Sequence, residues 1–474
     1  MRILFTAAEA TPLAKVGGLA DVVGSLPRAL NQLGHDVRLI LPKYGVIDEA
    51  RFPTTPVLDS VTVEIMGRQE EARFKQTKLG PVVVYLVENT RYFSPPRVYT
   101  DNEDLERYLF FSKAVMAFLK ASDWRPDVIH CHDWHTALVP FWVKKTGLPV
   151  ATVFTIHNLA YQGPFDNRWL NASGLNQEKT EWPIKPGTTD MTIMSQAVLA
   201  ADAVSTVSET YAREILTQRY GEGMESLLAR RKADLVGIVN GIDQDENNPA
   251  TDALIPAHYS ASNPAGKAVN KAELQKKLKL PVDPKVPLIG MVSRLDEQKG
   301  LDILEGAAER ILGMDLQVAI LGKGREKYHL SMSQLATKYP QKMSVTLDFN
   351  NALAHQIYAG SDLFLMPSAF EPCGLGQLIA MRYGTVPLVR ATGGLVDTVP
   401  PLTPDLKKGS GFVFTEYTVD ALLQALRAAS AVYRNHTAWK ALVPRIMALD
   451  FSWRASAAKY EALYRRLVEQ RAVR

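Results

Sequence analysis

Pro367 to Thr398 reads PSAFEPCGLGQLIAMRYGTVPLVRATGGLVDT, and the rest of the chain is read outward from it. An apolar run, Leu363 to Met366, arrives from Asp362 with the length and composition of a buried strand. The turn that follows carries one carboxylate, Glu371, beside Pro372, Cys373, Gly374 and Gly376. The spacing of Leu378, Ile379 and Met381 predicts a helix running to Gly384. Val386 to Val389 is a second strand, and a second glycine turn, Thr392-Gly393-Gly394, opens another helix. In an open α/β sheet both turns lie at carboxyl ends of strands. Ligands bind there, and helix N-termini favour anions. One acid between two amide cradles suggests a site for a phosphorylated, hydroxyl-rich ligand.

The same rhythm continues on both sides. Strand patterns at Leu288 to Val292, Gln317 to Leu321, Ser344 to Asp348 and Phe412 to Phe414 alternate with helical ones at 301–312, 325–338, 418–433 and 437–448. Upstream, RILFT at 2–6, a helix pattern from Leu19 to Leu33 and a strand at Val37 to Leu41 form a βαβ unit with glycines at its first turn. Two strands within 57–88 flank a charged stretch and suggest a hairpin excursion. A strand from Asp127 ends at His132-Asp133-Trp134-His135, and another, Ala151 to Ile156, ends at His157-Asn158. Residues 158–190 have no periodicity and are rich in Gly, Pro, Trp and Asn, which marks a functional loop rather than an idle one. Asn240 to Pro287 is rich in Asp, Asn, Pro and Ser and reads as a linker with one helical stretch near Lys271 to Leu278. The expected fold class is therefore α/β, with two Rossmann-like domains facing across a deep cleft.

Composition narrows the function classes. The 474 residues suffice for two or three domains, and 46% apolar with 22% charged residues is ordinary for a soluble enzyme. Fifty-four basic against 50 acidic residues leave a net charge of +4, with no block of like charge to suggest nucleic acid or a membrane surface. Cys131 and Cys373 are too few for a disulfide framework. With no signal-like segment after Met1 and no apolar run long enough to span a bilayer, a cytoplasmic protein is expected.

Several constellations carry chemistry. Lys15-Val16-Gly17-Gly18 precedes a helix: the glycines let backbone approach a diphosphate, and Lys15 adds a charge. A tight turn with a surface lysine explains it equally well. Arg294 and Lys299, in SRLDEQKG, can converge on phosphate oxygens at a strand end, although Asp296 and Glu297 offset their charge. Gly322-Lys323-Gly324 lacks the third glycine of a dinucleotide fingerprint, with Lys327 in its place. His130, His132 and His135 read as structural or substrate-facing histidines rather than zinc ligands, and Asp243-Gln244-Asp245 as an exposed loop rather than a metal site. His157 at its strand end can hydrogen-bond a sugar hydroxyl or support positive charge at a reacting carbon.

Taken together, seven segments resemble the bacterial and plant glycogen/starch synthase family of retaining glycosyltransferases: KVGGLADVVGSLPRAL, HCHDWHTALVP, TIHNLAYQG, VNGID, SRLDEQKG, FEPCGLGQL and ATGGLVDTV. They occur in family order over essentially the whole chain. The resemblance implies a GT-B type fold with an acceptor-side domain at 1–242, a nucleotide-sugar domain at 243–452, and a final helix at 453–474 crossing back to the first. It implies that Lys15, Gly17, Gly18 and Asp21 belong to the donor site, that Arg294 and Lys299 neutralise the departing diphosphate, and that Glu371 holds the transferred glucose. Cys373, Gly374, Gly376, Thr392, Gly393 and Gly394 would surround that sugar, with Asn240 a further glucose contact and Phe349 stacking on the base. His157, Asp133 and Asn158 would close over the reacting sugar from the acceptor side. The family commonly has Thr at Gly376, Arg at Ala369, Trp at Asn247 and Tyr at Phe349, so this chain departs from it at four places.

The expected reaction is transfer of glucose from ADP-glucose, or alternatively UDP-glucose, to the non-reducing end of an α-1,4-glucan such as glycogen, with retention. No cofactor or metal is expected, because cations and helix-end amides already face the developing negative charge. An NAD-dependent oxidoreductase would share the Rossmann rhythm but lacks the glycine fingerprint. A non-catalytic glucan-binding protein would have no need to keep Glu371, Arg294 and Lys299.

Overall fold

The computed structural model describes residues 1–100, 103–178 and 180–472. The chain divides into two compact units, Met1–Gly241 with Trp453–Arg474, and Ile242–Ser452.

In the first unit the strands are β1 (Arg2–Thr6), β2 (Asp36–Pro42), β3 (Thr55–Ile65), β4 (Arg68–Leu79), β5 (Val82–Glu88), β6 (Val128–His132), β7 (Ala151–Ile156), the two-residue β8 (Pro164–Phe165) and β9 (Met191–Thr192), β10 (Ala203–Thr206) and β11 (Leu235–Gly237). The main sheet runs β11-β10-β7-β6-β1-β2-β5-β4-β3. From β11 to β5 it is parallel, and β3 and β4 join it antiparallel. The parallel strands β6 and β7 are buried throughout and β1 is buried beyond Arg2, as strands inside a parallel sheet are. The charged stretch expected to separate two strands is itself β4. Its RQEEARFKQTKL carries buried Ala72, Phe74, Thr77 and Leu79 among exposed charged residues, and an antiparallel strand with one solvated face tolerates that pattern. The final helix, Trp453–Ala472, packs into this unit's own core through Trp453, Ala457, Tyr460, Leu463, Tyr464 and Leu467. Its Ser456 hydroxyl donates to the Val239 carbonyl at 2.6 Å, and Arg471 pairs with Asp202 at 3.0 Å.

The second unit holds β12 (Leu288–Val292), β13 (Gln317–Leu321), β14 (Met343–Thr346), β15 (Leu363–Met366), β16 (Val386–Arg390) and β17 (Phe412–Phe414), all parallel in the order β14-β13-β12-β15-β16-β17. The reversal of strand order beside β12 and β15 is the topological switch point at which such sheets bind ligands.

Of the segment 240–287, expected as a linker, everything from Ile242 onward is instead built into this second unit. Ile242 pairs with Ser452 and is buried among Leu378, Met381, Val389 and Leu395. The helix Gly266–Lys277 packs against the helix Asn351–Gly360 and sends Lys267 and Lys271 inward. Lys267 Nζ donates to the Ala359 carbonyl (3.1 Å), the Tyr383 carbonyl (3.0 Å) and the Thr385 hydroxyl (2.7 Å), while Lys271 pairs with Asp362 at 2.7 Å. Polar composition suggested solvent exposure. Here Lys267 instead satisfies the carbonyl ends of two helices, which carry partial negative charge, and Lys271 meets a buried carboxylate.

Candidate active site

In the second unit, three strand ends bring the candidate residues together. The loop after β12 is pinned by Leu295, which is fully buried and whose N–H donates to the Lys323 carbonyl. This is the role of the Gly322-Lys323-Gly324 turn: it pairs with the 295 loop. The Asp296 carboxylate then accepts the Lys299 N–H at 3.1 Å and caps the short turn Glu297–Lys299. That turn aims Lys299 at Glu371, beyond β15. The ammonium lies 2.9 and 2.7 Å from the two carboxylate oxygens, and the Ser368 hydroxyl adds a third bond at 3.0 Å. Glu371 is 5% exposed. The lone acid of the sequence is thus a buried, bidentate ion pair. Two of the ammonium's three protons engage the carboxylate, and one remains to donate elsewhere.

Arg294 stands at the same strand end but turns to its own loop, with Nη1 3.2 Å from Asp296 and Nη2 donating to Gln298 at 2.9 Å. Its side chain remains 44% exposed. The two cations share a loop, yet in this structure they serve different partners.

The two glycine turns interlock. The Gly394 N–H donates to the carbonyls of Glu371 (3.1 Å) and Pro372 (3.2 Å), so this amide ties one turn to the other. A Cβ at Gly394 would lie 2.3–2.4 Å from the Cys373 carbonyl oxygen and Cα, closer than any side chain permits. Thr392 is fully buried at the N-cap of the helix Gly393–Thr398, and Cys373 is also buried. At Gly376 the absent side chain is accounted for by its neighbours: a Cβ would stand 2.8 Å from the Phe364 ring, which fills the space. Phe349 is 73% exposed, with the Lys323 ammonium 5.5 Å above its ring and Lys323 paired to Asp348.

Two supports here carried no signal in the sequence reading. Arg390, at the end of β16 and 4% exposed, donates to the carbonyls of Ser368 and Ala369 and so holds the Glu371 turn. Gln377 donates to the carbonyls of Cys373 and Gly374 from the first turn of the next helix.

The first unit places its candidates in two groups. At the end of β6, Asp133 has φ of 56°, a left-handed backbone uncommon outside glycine. That turn puts its carboxylate against the end of β7, where it accepts the His157 N–H at 2.8 Å. Burial pushes the Asp133 carboxyl up to about 7, against the amides of His157 and Asn158, which pull it down. Burial likewise depresses the His157 imidazole to about 3. His157 Nε2 lies 2.9 Å from His132 Nδ1. Asn158 is half-buried and accepts the Ala160 N–H through its side chain. Asn240 is buried, and its Oδ1 has no hydrogen-bond partner among the described residues.

The second group is the loop before the helix Gly18–Gln32. Lys15 Nζ lies 2.6 Å from Asp21 Oδ1, and burial raises the Asp21 carboxyl although Lys15 lowers it. Gly17 is the N-cap residue and Gly18 the first residue of the helix. The sequence reading missed Glu9, 3% exposed, which accepts the N–H groups of Val16 (2.6 Å) and Gly17 (2.8 Å) and the Tyr99 hydroxyl. The Gly17 amide proposed for a diphosphate therefore already serves a carboxylate here.

Among the described residues, no group of three His, Cys, Asp or Glu side chains converges as metal ligands. His130 uses both ring nitrogens, toward the Thr155 and Tyr464 hydroxyls.

Two parallel-sheet units, with a cation–carboxylate pair at the switch point of one and a histidine–aspartate corner at the strand ends of the other, define a two-domain glycosyltransferase of the GT-B type. Residues 2–230 match the starch synthase catalytic domain, and residues 271–439 match the glycosyl transferases group 1 domain. Glycogen synthase of Geotalea daltonii is 47% identical over 98% of both chains, and glycogen synthase 2 of Geobacter sulfurreducens is 47% identical over 99% of this chain and all of its own. The catalytic domain of starch synthase IV from Arabidopsis thaliana, solved with ADP and acarbose, superposes with a TM-score of 0.92 at 34% identity, covering 98% of this chain and 99% of that one. The chain belongs to the bacterial and plant glycogen/starch synthase family.

Proposed function

We propose that this enzyme transfers glucose from ADP-glucose to the non-reducing end of an α-1,4-glucan with retention of configuration. The observation that carries the reading is the buried Lys299–Glu371 pair at the switch point of the second sheet, framed by two interlocked glycine turns. Adenine is favoured because the Arabidopsis relative was solved with ADP. The glucan acceptor is favoured because the bacterial relatives are glycogen synthases.

Glu371 holds hydroxyls of the transferred glucose, and Gly374, Gly376, Cys373, Thr392, Gly393 and Gly394 shape the walls around that sugar. Lys299, with its remaining proton, and Arg294 receive the diphosphate, while Phe349 offers an exposed ring to the base. Lys15, Gly17, Gly18, Asp21 and Asn240 contribute further donor contacts. His157, with Asp133 and Asn158, serves the acceptor side and the reacting carbon. As the bond between the anomeric carbon and the diphosphate oxygen breaks, its electron pair leaves with the diphosphate, where the cations stabilise it. The acceptor hydroxyl bonds to the same face of that carbon, and its proton passes to the leaving oxygen. Glu371 is not assigned as a nucleophile: a double displacement sets two carboxyl groups about 5 Å apart, whereas Glu371 faces an ammonium.

We also infer a cytoplasmic location. Among the described residues both cysteines are buried and neither is in a disulfide, as suits a reducing compartment, and no helix is long and apolar enough to cross a membrane.

The test is nucleoside diphosphate release from ADP-glucose and UDP-glucose, each with and without glycogen. Glycogen-dependent release that favours ADP-glucose is expected. Preference for UDP-glucose would overturn the donor assignment, and release indifferent to glycogen would overturn the acceptor.

A further inference from the structure

His132 lies one strand away from His157, on β6 beside β7, and is fully buried. It is sandwiched within the core. The Phe5 ring stacks at 5.2 Å and 23°, and the His130 ring sits at 4.1 Å. His130 is itself fixed by two hydroxyls, Thr155 at 2.6 Å and Tyr464 at 2.7 Å. The His132 ring therefore has little room to turn, and its Nδ1 meets His157 Nε2 at 2.9 Å. His132 Nε2 is buried and has no partner among the described residues.

A single proton lies between Nδ1 of His132 and Nε2 of His157, and hydrogen-bond satisfaction decides which ring owns it. If His157 donated, His132 would carry its own proton on Nε2, a buried N–H with nowhere to go. If His132 donates from Nδ1, its Nε2 keeps only an unpaired lone pair. Orphaned buried N–H groups are rare and under-satisfied acceptors less so, so the second arrangement prevails. Burial also keeps both rings unprotonated beyond one hydrogen each, since it depresses His132 and His157 alike.

We propose that His132 is a positioning residue for His157: its Nδ1–H donates to His157 Nε2, which fixes the His157 ring and leaves Nδ1–H as the only polar hydrogen that ring can offer a ligand. The functional half of this statement rests on the role given to His157 above; the tautomer does not. The ring that meets the sugar is then a donor to a hydroxyl oxygen, not a base for its proton, in keeping with a reaction in which the leaving diphosphate takes the acceptor's proton.

Two measurements test it. Long-range proton–nitrogen correlation on protein labelled in histidine reads the tautomer in the wild type, and a His157→Gln variant assigns the signal. The expected result is a His157 ring protonated at Nδ1 and bare at Nε2. Protonation at Nε2 would overturn the proposal without any reference to catalysis. Steady-state kinetics then compares His132→Phe, which keeps a stacked ring, with His132→Asn, whose amide N–H can stand where Nδ1–H stood. His132→Phe should lower kcat on the order of tenfold to a hundredfold, the scale of a small misplacement. KM for the donor should change little, and His132→Asn should recover most of the loss. Tyr464→Phe removes a buried hydrogen bond from the same layer but not this one, and should lower Tm while leaving kcat near the wild-type value. A folded His132→Phe variant with unchanged kcat would overturn the positioning role, as would losses that simply add in the His132→Phe/His157→Gln double variant. If His157→Gln keeps full turnover while the tautomer is as stated, the catalytic role of His157 fails and the hydrogen-bond assignment survives.

Discussion

Removing the Lys299 ammonium should damage stability and turnover separately, and the structure sets the size of each effect. Both Glu371 oxygens accept from Lys299, at 2.7 and 2.9 Å, and only Ser368 would remain as a partner after Lys299→Ala. Breaking a buried pair from one side leaves an uncompensated charge and costs about 3–5 kcal/mol. The Lys299 side chain keeps 18% of its exposure, so water can reach the gap and the lower end, about 3 kcal/mol, applies. For a domain of this size that is a fall in Tm of roughly 6–12 °C. Losing a charge-stabilising donor to the diphosphate costs a further 3–4 kcal/mol of barrier, or about 10²–10³ in kcat. The two effects come apart in a second variant. Lys299→Met with Glu371→Gln removes both charges, so most of the Tm should return, because neutralising both partners spares the desolvation penalty, while turnover stays at least as low as in Lys299→Ala. The assay is glycogen-dependent ADP release at a temperature well below both transitions, alongside thermal unfolding. Lys299→Ala retaining turnover within about threefold of wild type would refute the phosphate role. Unchanged Tm would refute the claim that the ammonium balances a buried carboxylate.

Two further outcomes follow from the geometry. Gly394→Ala places a methyl against the Cys373 backbone, so the two turns must separate; turnover should fall on the order of a hundredfold and stability by about 1–3 kcal/mol, with activity and urea unfolding as readouts. Wild-type activity in that variant would show the interlock to be dispensable. The first unit should also be acid-labile. Burial depresses His130, His132, His135 and His157, so each is protonated only on unfolding and removes up to about 1.4 kcal/mol per pH unit as pH falls below 6.5. Asp133 acts in the opposite sense. Its folded value is raised to about 7, so it contributes stability at low pH that is lost as pH rises from about 4 to 7. Three groups' worth of net acid destabilisation remains, and stability by urea unfolding that is flat from pH 7 to 5 would contradict it.

The sequence alone determined the parallel-sheet rhythm and the strand ends. Short apolar runs of four to six residues bounded by turn residues and alternating with helical patterns read as buried strands, and the residues just beyond them then lie at carboxyl ends. Glu371, Lys299, Asp133 and His157 were legible for that reason, each sitting one to seven residues past such a run. Where local pattern and final environment disagree, the sequence misled. Charge hid β4 as a mere stretch between two strands, and polar composition made 240–287 look like a linker, because a buried lysine and a solvated one are spelled alike. Partner choice was the other thing sequence could not supply. That Lys299 grips Glu371 and that His132 reaches His157 are contacts between different strand ends, while Arg294 turning to Asp296 and Gln298, and Glu9 taking the amide of Gly17, are contacts made inside one folded loop. They arise from how β12 registers beside β15, how β6 registers beside β7, and how the loops beyond them fold. The Pro367 to Thr398 stretch announced an acid between two glycine turns. Only the tertiary structure showed that the acid is already paired and that the turns are bonded to each other, because hydrogen-bond partners and burial are fixed when the chain packs and not before.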